Sequence, residues 1–319
     1  MHPAFSVIAF TTLSGAGYGL LAAIAIAILA QASSARALLA LLVLALAMIT
    51  AGLLSSLAHL GKPQRAWRAM SQWRSSWLSR EGVMALLTYL PALALGALLL
   101  PSLIAASADA PALRGNALGV ATCLAAIAGA VLTVVCTAMI YASLKPIPAW
   151  RQALVVPAYL SFAALCGGAL LAAGLAAAGA LGESGGAFAL AIAAGAIATA
   201  AIKLAYWRAI DRTALTVTRG DAVGLPGREV SVFERPHSED NYLTREMGFV
   251  VARKHARQLR RIALGLFGVA PLLLAALAWG LPGSAVVAFP LAALAALAGA
   301  LVERWLFFAQ ARHLVTLYY

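Results

Sequence analysis

Two titratable side chains bracket the most unusual stretch of this sequence. His59 ends one apolar run and Glu81 opens the next. The segment around them, AHLGKPQRAWRAMSQWRSSWLSREG from Ala58 to Gly82, also carries five cations and three tryptophans. An imidazole with an unperturbed pKa of about 6.5 exchanges protons at working pH. A nearby carboxylate can relay that proton. Arg65 or Lys62 can stabilise an anionic oxygen by a charge-assisted hydrogen bond. Gly61 and Pro63 break the helix, and Gly61 leaves room for a flat ring. Quinone chemistry needs these parts: an apolar slot, a donor or acceptor at each ring oxygen, and a proton route. The plain alternative is that His59 is an interfacial polar residue. Membrane topology alone suffices for Arg68 and Arg80.

The elements that must hold these residues are membrane helices. Hydrophobic residues make up 63% of the 319 residues and charged residues 11%. A soluble domain carries about 25% charged residues. A spanning helix needs roughly 20 mostly apolar residues. Runs at about 4–30, 37–59, 82–104, 118–143, 153–181, 186–208, 262–281 and 284–306 qualify. The expected fold is an all-α integral membrane protein of eight transmembrane helices, arranged as two four-helix bundles. The first run lacks a basic flank and is too long for a cleaved signal peptide, so it reads as a true span. Ala and Gly are abundant in the runs and suit close helix packing in lipid.

Charge sets the expected orientation. Eight spans place both termini on one side. That side collects 21 of the 23 Lys and Arg, and the other side only Arg36 and Arg114. Cytoplasmic loops gather Lys and Arg, so both termini are expected in the cytoplasm. Trp67, Trp73, Trp77, Trp150, Trp207 and Trp305 fall near the same boundary and read as an interfacial belt. The pI near 10.3 follows from topology, and no nucleic-acid partner is expected. The one long loop, 209–261, ends in NYLTREMGFVVARKHARQLRRIAL, which predicts an amphipathic basic helix capped by Thr244 with Glu246 in its first turn. This helix suits anionic headgroups, a docked subunit, or both.

Other chemistries find little support. Cys123, Cys136 and Cys166 lie inside apolar runs without metal-ligand spacing and read as small core residues. There is no phosphate-binding Gly loop and no nucleophile with a positioned base. Haem held by two histidines is not expected, since only His59 and His313 approach the required placement. A transporter would place polar groups near the bilayer midplane, often on broken helices. Here the mid-span residues are mainly Ala, Leu, Gly and Ile, while polar groups cluster at one face. A pure structural anchor is the other alternative.

At AHLGKPQRAWRAMSQWRSSWLSREG the chain resembles the dimethyl sulfoxide reductase membrane-anchor family. NYLTREMGFVVARKHARQLRRIA and the opening MHPAFSVIAFTTLSGAGYGLL extend the likeness over essentially the whole chain. The resemblance implies an eight-helix, quinone-binding anchor in the cytoplasmic (inner) membrane. It implies two partners, a four-cluster iron–sulfur subunit and a molybdopterin catalytic subunit, which carry all the molybdenum and iron–sulfur groups. The family's quinol-site motif falls on His59, Gly61, Arg65 and Glu81, with ubiquinone or menaquinone as the exchanged cofactor. Within the family the closest likeness is to anchors of cytoplasm-facing sulfite dehydrogenases. The cationic face favours sulfite oxidation over export-type sulfoxide reduction, with a dimethyl sulfoxide or related reductase as the alternative.

Overall fold

In lipid every backbone N–H and C=O must be satisfied within its own segment, so long apolar runs become helices. The computed structural model of the chain describes residues 4–30, 34–58, 60–104, 115–213, 217–234, 239 and 251–317. Its long helices are α1 (Phe5–Leu29), α2 (Ala35–Leu57), α3 (Trp77–Ile104), α4 (Ala117–Ala142), α5 (Val155–Ala177) and α6 (Gly185–Arg212). These are followed by α7 (Val251–Leu264), α8 (Ala270–Gly280) and α9 (Ala285–Ala309). A π-helical turn, Gly265–Val269, joins α7 to α8, so the two form one continuous rod. Among the described residues, eight spans are long and apolar enough to cross a membrane, with His255–Gly280 as the seventh. The protein is an all-α, multi-pass membrane protein.

Side-chain caps begin two of the spans. The Ser34 hydroxyl accepts the Ala37 N–H at 3.2 Å, and Asn116 accepts the Leu118 N–H at 3.0 Å. Each satisfies a backbone donor that the first helical turn leaves free.

Helix α1 packs against α2, α4 and α5, while α3 lies between α2 and α4. Helix α5 also meets α6 and α9, and α8 bridges α6 and α9. The α1–α5 seam is therefore where the first and last four spans meet. It closes because Gly19 and Gly167 have no side chains: a Cβ on Gly19 would overlap the Ala163 carbonyl, and one on Gly167 would overlap the Gly19 backbone. Small residues at such crossings allow close van der Waals packing where no hydrophobic effect drives helices together. The outward faces are apolar as well. Leu86, Leu90 and Leu93 on α3 and Leu291 and Leu294 on α9 are exposed. Helices apolar on all sides belong in lipid.

The basic segment before the seventh span is helical and amphipathic, as expected, but it does not stop before that span. Helix α7 runs straight into α8, since no Pro or capping residue interrupts Val251 to Gly265. Helix α6 likewise continues to Arg212, so the long connection is shorter than 209–261. The Thr244 cap and Glu246 lie outside the described residues. Trp150 and Trp207 are buried, not interfacial. Trp150 packs its ring on Phe307 with 5.6 Å between centroids and donates its indole N–H to the Phe307 carbonyl at 2.9 Å.

Candidate functional site

The connector between α2 and α3 is built on helix α3. Pro63–Gln72 forms a run of tight 3₁₀ turns with no buried residue. Ser79 pins it down: its hydroxyl accepts the Gln72 N–H at 3.1 Å and donates to the Ala69 carbonyl. The Met70 side chain sits over Gly82, where a Cβ would be 3.4 Å from the Met70 Cγ. Arg80 donates to the carbonyls of Trp73 at 3.0 Å and Arg74 at 2.7 Å. Its guanidinium also lies over the Trp77 ring at 4.3 Å. Arg80 thus has a local structural task beyond topology. Helix α3 begins at Trp77, earlier than the apolar run expected at about 82–104. Ser79 therefore fastens the connector instead of capping the helix.

That earlier start places Glu81 one turn inside the span. Only 5% of Glu81 is exposed, and it accepts a hydrogen bond from the Thr137 hydroxyl on α4. Below it the α3–α4 interface continues as a ladder of hydroxyls. Thr137 donates to the Thr133 carbonyl at 3.1 Å. The Thr133 hydroxyl lies 3.1 Å from that of Thr88 and donates to the Gly129 carbonyl at 2.8 Å. Tyr18 on α1 is buried beside this ladder, within electrostatic reach of Glu81. Isolated carboxylates are costly at such depth, so a buried one marks a candidate site.

The other expected site residues are distributed differently. Gly61 is exposed, and nothing lies within 4 Å of where its Cβ would be. Arg65 is exposed on the 3₁₀ run. His59 lies outside the described residues. Among the described residues no hydrogen bond or ion pair joins Arg65 to Glu81. The arrangement is a cationic, aromatic lid over a buried carboxylate.

His313 follows α9 and turns inward on itself. Its Nδ1 accepts the Val315 N–H at 3.0 Å, and partial burial holds its pKa below the usual value. Cys123, Cys136 and Cys166 are buried, unpaired thiols of α4 and α5.

Sequence reasoning missed a second buried ionic group. Lys203 on α6 and Arg304 on α9 fall among the surface charges in a count along the chain, yet they are 1% and 3% exposed. Both flank Glu303, which is fully buried. Lys203 Nζ stands 2.5 Å from one Glu303 oxygen, and Arg304 Nη1 stands 3.3 Å from the other. Aromatic faces complete the cluster. The Arg304 guanidinium lies 3.5 Å from the Tyr159 ring centroid, and the Lys203 ammonium 3.8 Å from that of Tyr206. About two turns nearer the surface, Arg260 on α7 grips Asp211 with bonds of 2.6 and 2.9 Å. It also donates to Gln310 at 2.9 Å. The available signal was Glu303 itself, a carboxylate inside an apolar run, which must find a cation.

The chain matches the model of the DMSO reductase anchor subunit family (DmsC) over residues 1–310. It belongs to that family. It is accordingly a membrane anchor subunit. Among its relatives, a sulfite dehydrogenase subunit of Allochromatium vinosum is 36% identical over 338 aligned residues, covering 100% of this chain and 99% of the relative. The matched residues span the connector, the buried carboxylate and the Lys203–Glu303–Arg304 group.

Proposed function

We propose that this anchor is the quinone-reactive subunit of a molybdenum oxidoreductase complex in the cytoplasmic membrane. It passes electrons between a four-cluster iron–sulfur subunit and the quinone pool, and the complex oxidises sulfite at a separate molybdopterin subunit. The observation that carries this reading is Glu81, a carboxylate buried one turn inside α3 beneath a cationic connector. Quinone reduction takes up two electrons and two protons. His59 bonds one ring oxygen and exchanges its proton, Glu81 relays protons, and Arg65 stabilises the anionic oxygen. The sulfite assignment is supported by the name of the relative from Allochromatium vinosum and by the cationic face. A sulfoxide reductase oxidising quinol is the second reading, favoured by the family's own description. Purification in mild detergent, with partner identification and quinone extraction, tests the assignment. A chain isolated without an iron–sulfur partner and without quinone would sink it.

Orientation separates the two substrates. Reporter fusions after Arg36, Gly220 and Tyr319 are expected to place Gly220 and Tyr319 in the cytoplasm and Arg36 outside. Burial of Lys203 and Arg304 removes both from the loop count, but the remaining cations keep the same asymmetry. A periplasmic signal at Gly220 would reverse the orientation and favour the exported sulfoxide enzyme.

The connector and α7 supply the docking face for the iron–sulfur subunit. Arg257 and Arg261 on α7 are exposed, whereas Arg260 is occupied by Asp211 and Gln310. Neutralising Arg257 and Arg261 together should release the partner at lower salt than in wild type, because exposed charges guide encounter and register. Equal retention across a salt series would leave α7 as a lipid-surface element only.

A further inference from the structure

Among the described residues Glu81 forms no ion pair, and its one hydrogen-bond donor is the Thr137 hydroxyl on α4. The ionisable groups within electrostatic reach of it on the neighbouring helices are phenols and a thiol. They are Tyr18 on α1, Cys136 and Tyr141 on α4, and Tyr159 on α5. Arg80, next to Glu81 in the chain, turns instead to the carbonyls of Trp73 and Arg74. A carboxylate buried away from cations depends on hydrogen bonds to its charged form. Here a single hydroxyl carries that task.

The α3–α4 seam is built to deliver that hydroxyl. Gly129, Thr133 and Thr137 recur every fourth residue and share one face of α4. At Gly129 the two helices come so close that a Cβ would lie 2.8 Å from the Thr88 hydroxyl oxygen. Thr88 lies about 10 Å along α3 from Glu81, and Gly129 about 12 Å along α4 from Thr137, at 1.5 Å per residue. The antiparallel pair therefore brings Thr137 level with Glu81. Thr137 has one proton and two acceptors, Glu81 Oε1 and the Thr133 carbonyl at 3.1 Å. Bonds to an ionised acceptor are roughly twice as strong as neutral ones, so the hydroxyl goes to Glu81. The ladder is not a proton wire, because the group that follows Thr137 is a carbonyl with no proton to hand on. Thr133 directs its own proton to the Gly129 carbonyl at 2.8 Å, and Thr88 to the Met84 carbonyl at 2.7 Å.

We propose that Thr137 is the positioning residue for Glu81: it holds Oε1 as an acceptor, so that the exchangeable proton is carried on Oε2. The proposal rests on the quinone reading above and deepens it by assigning the group that readies Glu81 for proton transfer. Thr137 neither touches the ring nor passes the proton. It fixes the orientation of the carboxyl group and decides which oxygen is free to exchange.

Two variants of the assembled complex separate the hydroxyl from its packing. Thr137→Val keeps the shape and removes the hydroxyl, whereas Thr137→Ser keeps the hydroxyl and removes the methyl group. Sulfite-driven reduction of a short-chain ubiquinone is measured and normalised to artificial-acceptor activity. Thr137→Val should lower kcat about 10- to 100-fold, the effect of one hydrogen bond to a charged group, with KM unchanged. Thr137→Ser should restore most of the rate. Redox-induced infrared difference spectra give a second readout. The carbonyl band of protonated Glu81, identified by its loss in Glu81→Gln, should move to higher frequency in Thr137→Val, because Oε1 loses its donor, and return in Thr137→Ser. A wild-type rate and band position in Thr137→Val overturn the proposal, as does a Thr137→Ser complex as impaired as Thr137→Val. A change confined to KM overturns it too, since it would place Thr137 against the ring. If Glu81→Gln stops quinone turnover while Thr137→Val leaves it unchanged, only the positioning role falls. If Glu81→Gln and His59→Ala both turn over quinone at the wild-type rate, the reading of the site falls with it.

Discussion

Glu81→Gln is expected to slow quinone turnover by about 10²–10⁴-fold, the usual cost of losing a positioned acid–base group. That corresponds to about 3–5 kcal/mol of transition-state stabilisation. Glutamine keeps the size of the side chain and can still meet the Thr137 hydroxyl that now donates to Glu81. What it loses is the titratable proton. The complex should therefore assemble normally, and sulfite oxidation with a soluble artificial acceptor should persist, because that electron path bypasses the membrane. His59→Ala should give the same dissociation of activities. The decisive measurement is the ratio of quinone-linked to artificial-acceptor activity in the assembled complex. A wild-type ratio in Glu81→Gln and in His59→Ala would show that protons reach the quinone by another route.

Glu303→Gln should destabilise the anchor by about 3–5 kcal/mol, as expected when one partner of a buried ion pair is removed. Lys203 and Arg304 approach Glu303 from opposite sides. Without the carboxylate, two buried cations face each other with only aromatic faces for compensation. Lys203→Met should cost much less, because Glu303 keeps Arg304 and the aliphatic replacement suits the buried site. Thermal unfolding of the purified chain in detergent measures both. The order matters more than the magnitudes. A Glu303→Gln chain as stable as wild type, or less affected than Lys203→Met, would show that the group is not held by charge pairing. The consequence extends to assembly, since α5, α6 and α9 converge on this group and α9 also contacts α7.

Much of this protein follows from its sequence. Uninterrupted apolar runs of more than 20 residues have one outcome in lipid, where no water can satisfy a free backbone. The helical class and the eight spans therefore needed no tertiary information. The connector was legible too, because Pro, Gly, Arg and Trp cannot continue an apolar helix there. Glu81 stood out as an acid at the edge of a span. Its depth did not. The apolar run opens at about residue 82, which puts Glu81 at its edge, but helix α3 begins at Trp77 and so carries Glu81 one turn inside, while Ser79 is engaged by Gln72 and Ala69. The identity of loop and core charges was also out of reach. Lys203, Arg260 and Arg304 look alike in a count of cations near one boundary. Three-dimensional packing alone decides that Lys203 and Arg304 turn inward to Glu303, that Arg260 meets Asp211, and that Arg257 stays exposed. The bond from Thr137 to Glu81 belongs to the same class of fact. Periodicity cannot reveal which helices pair when their sides are apolar all round; the close approach of α3 and α4 at Gly129 sets which hydroxyl meets the carboxylate.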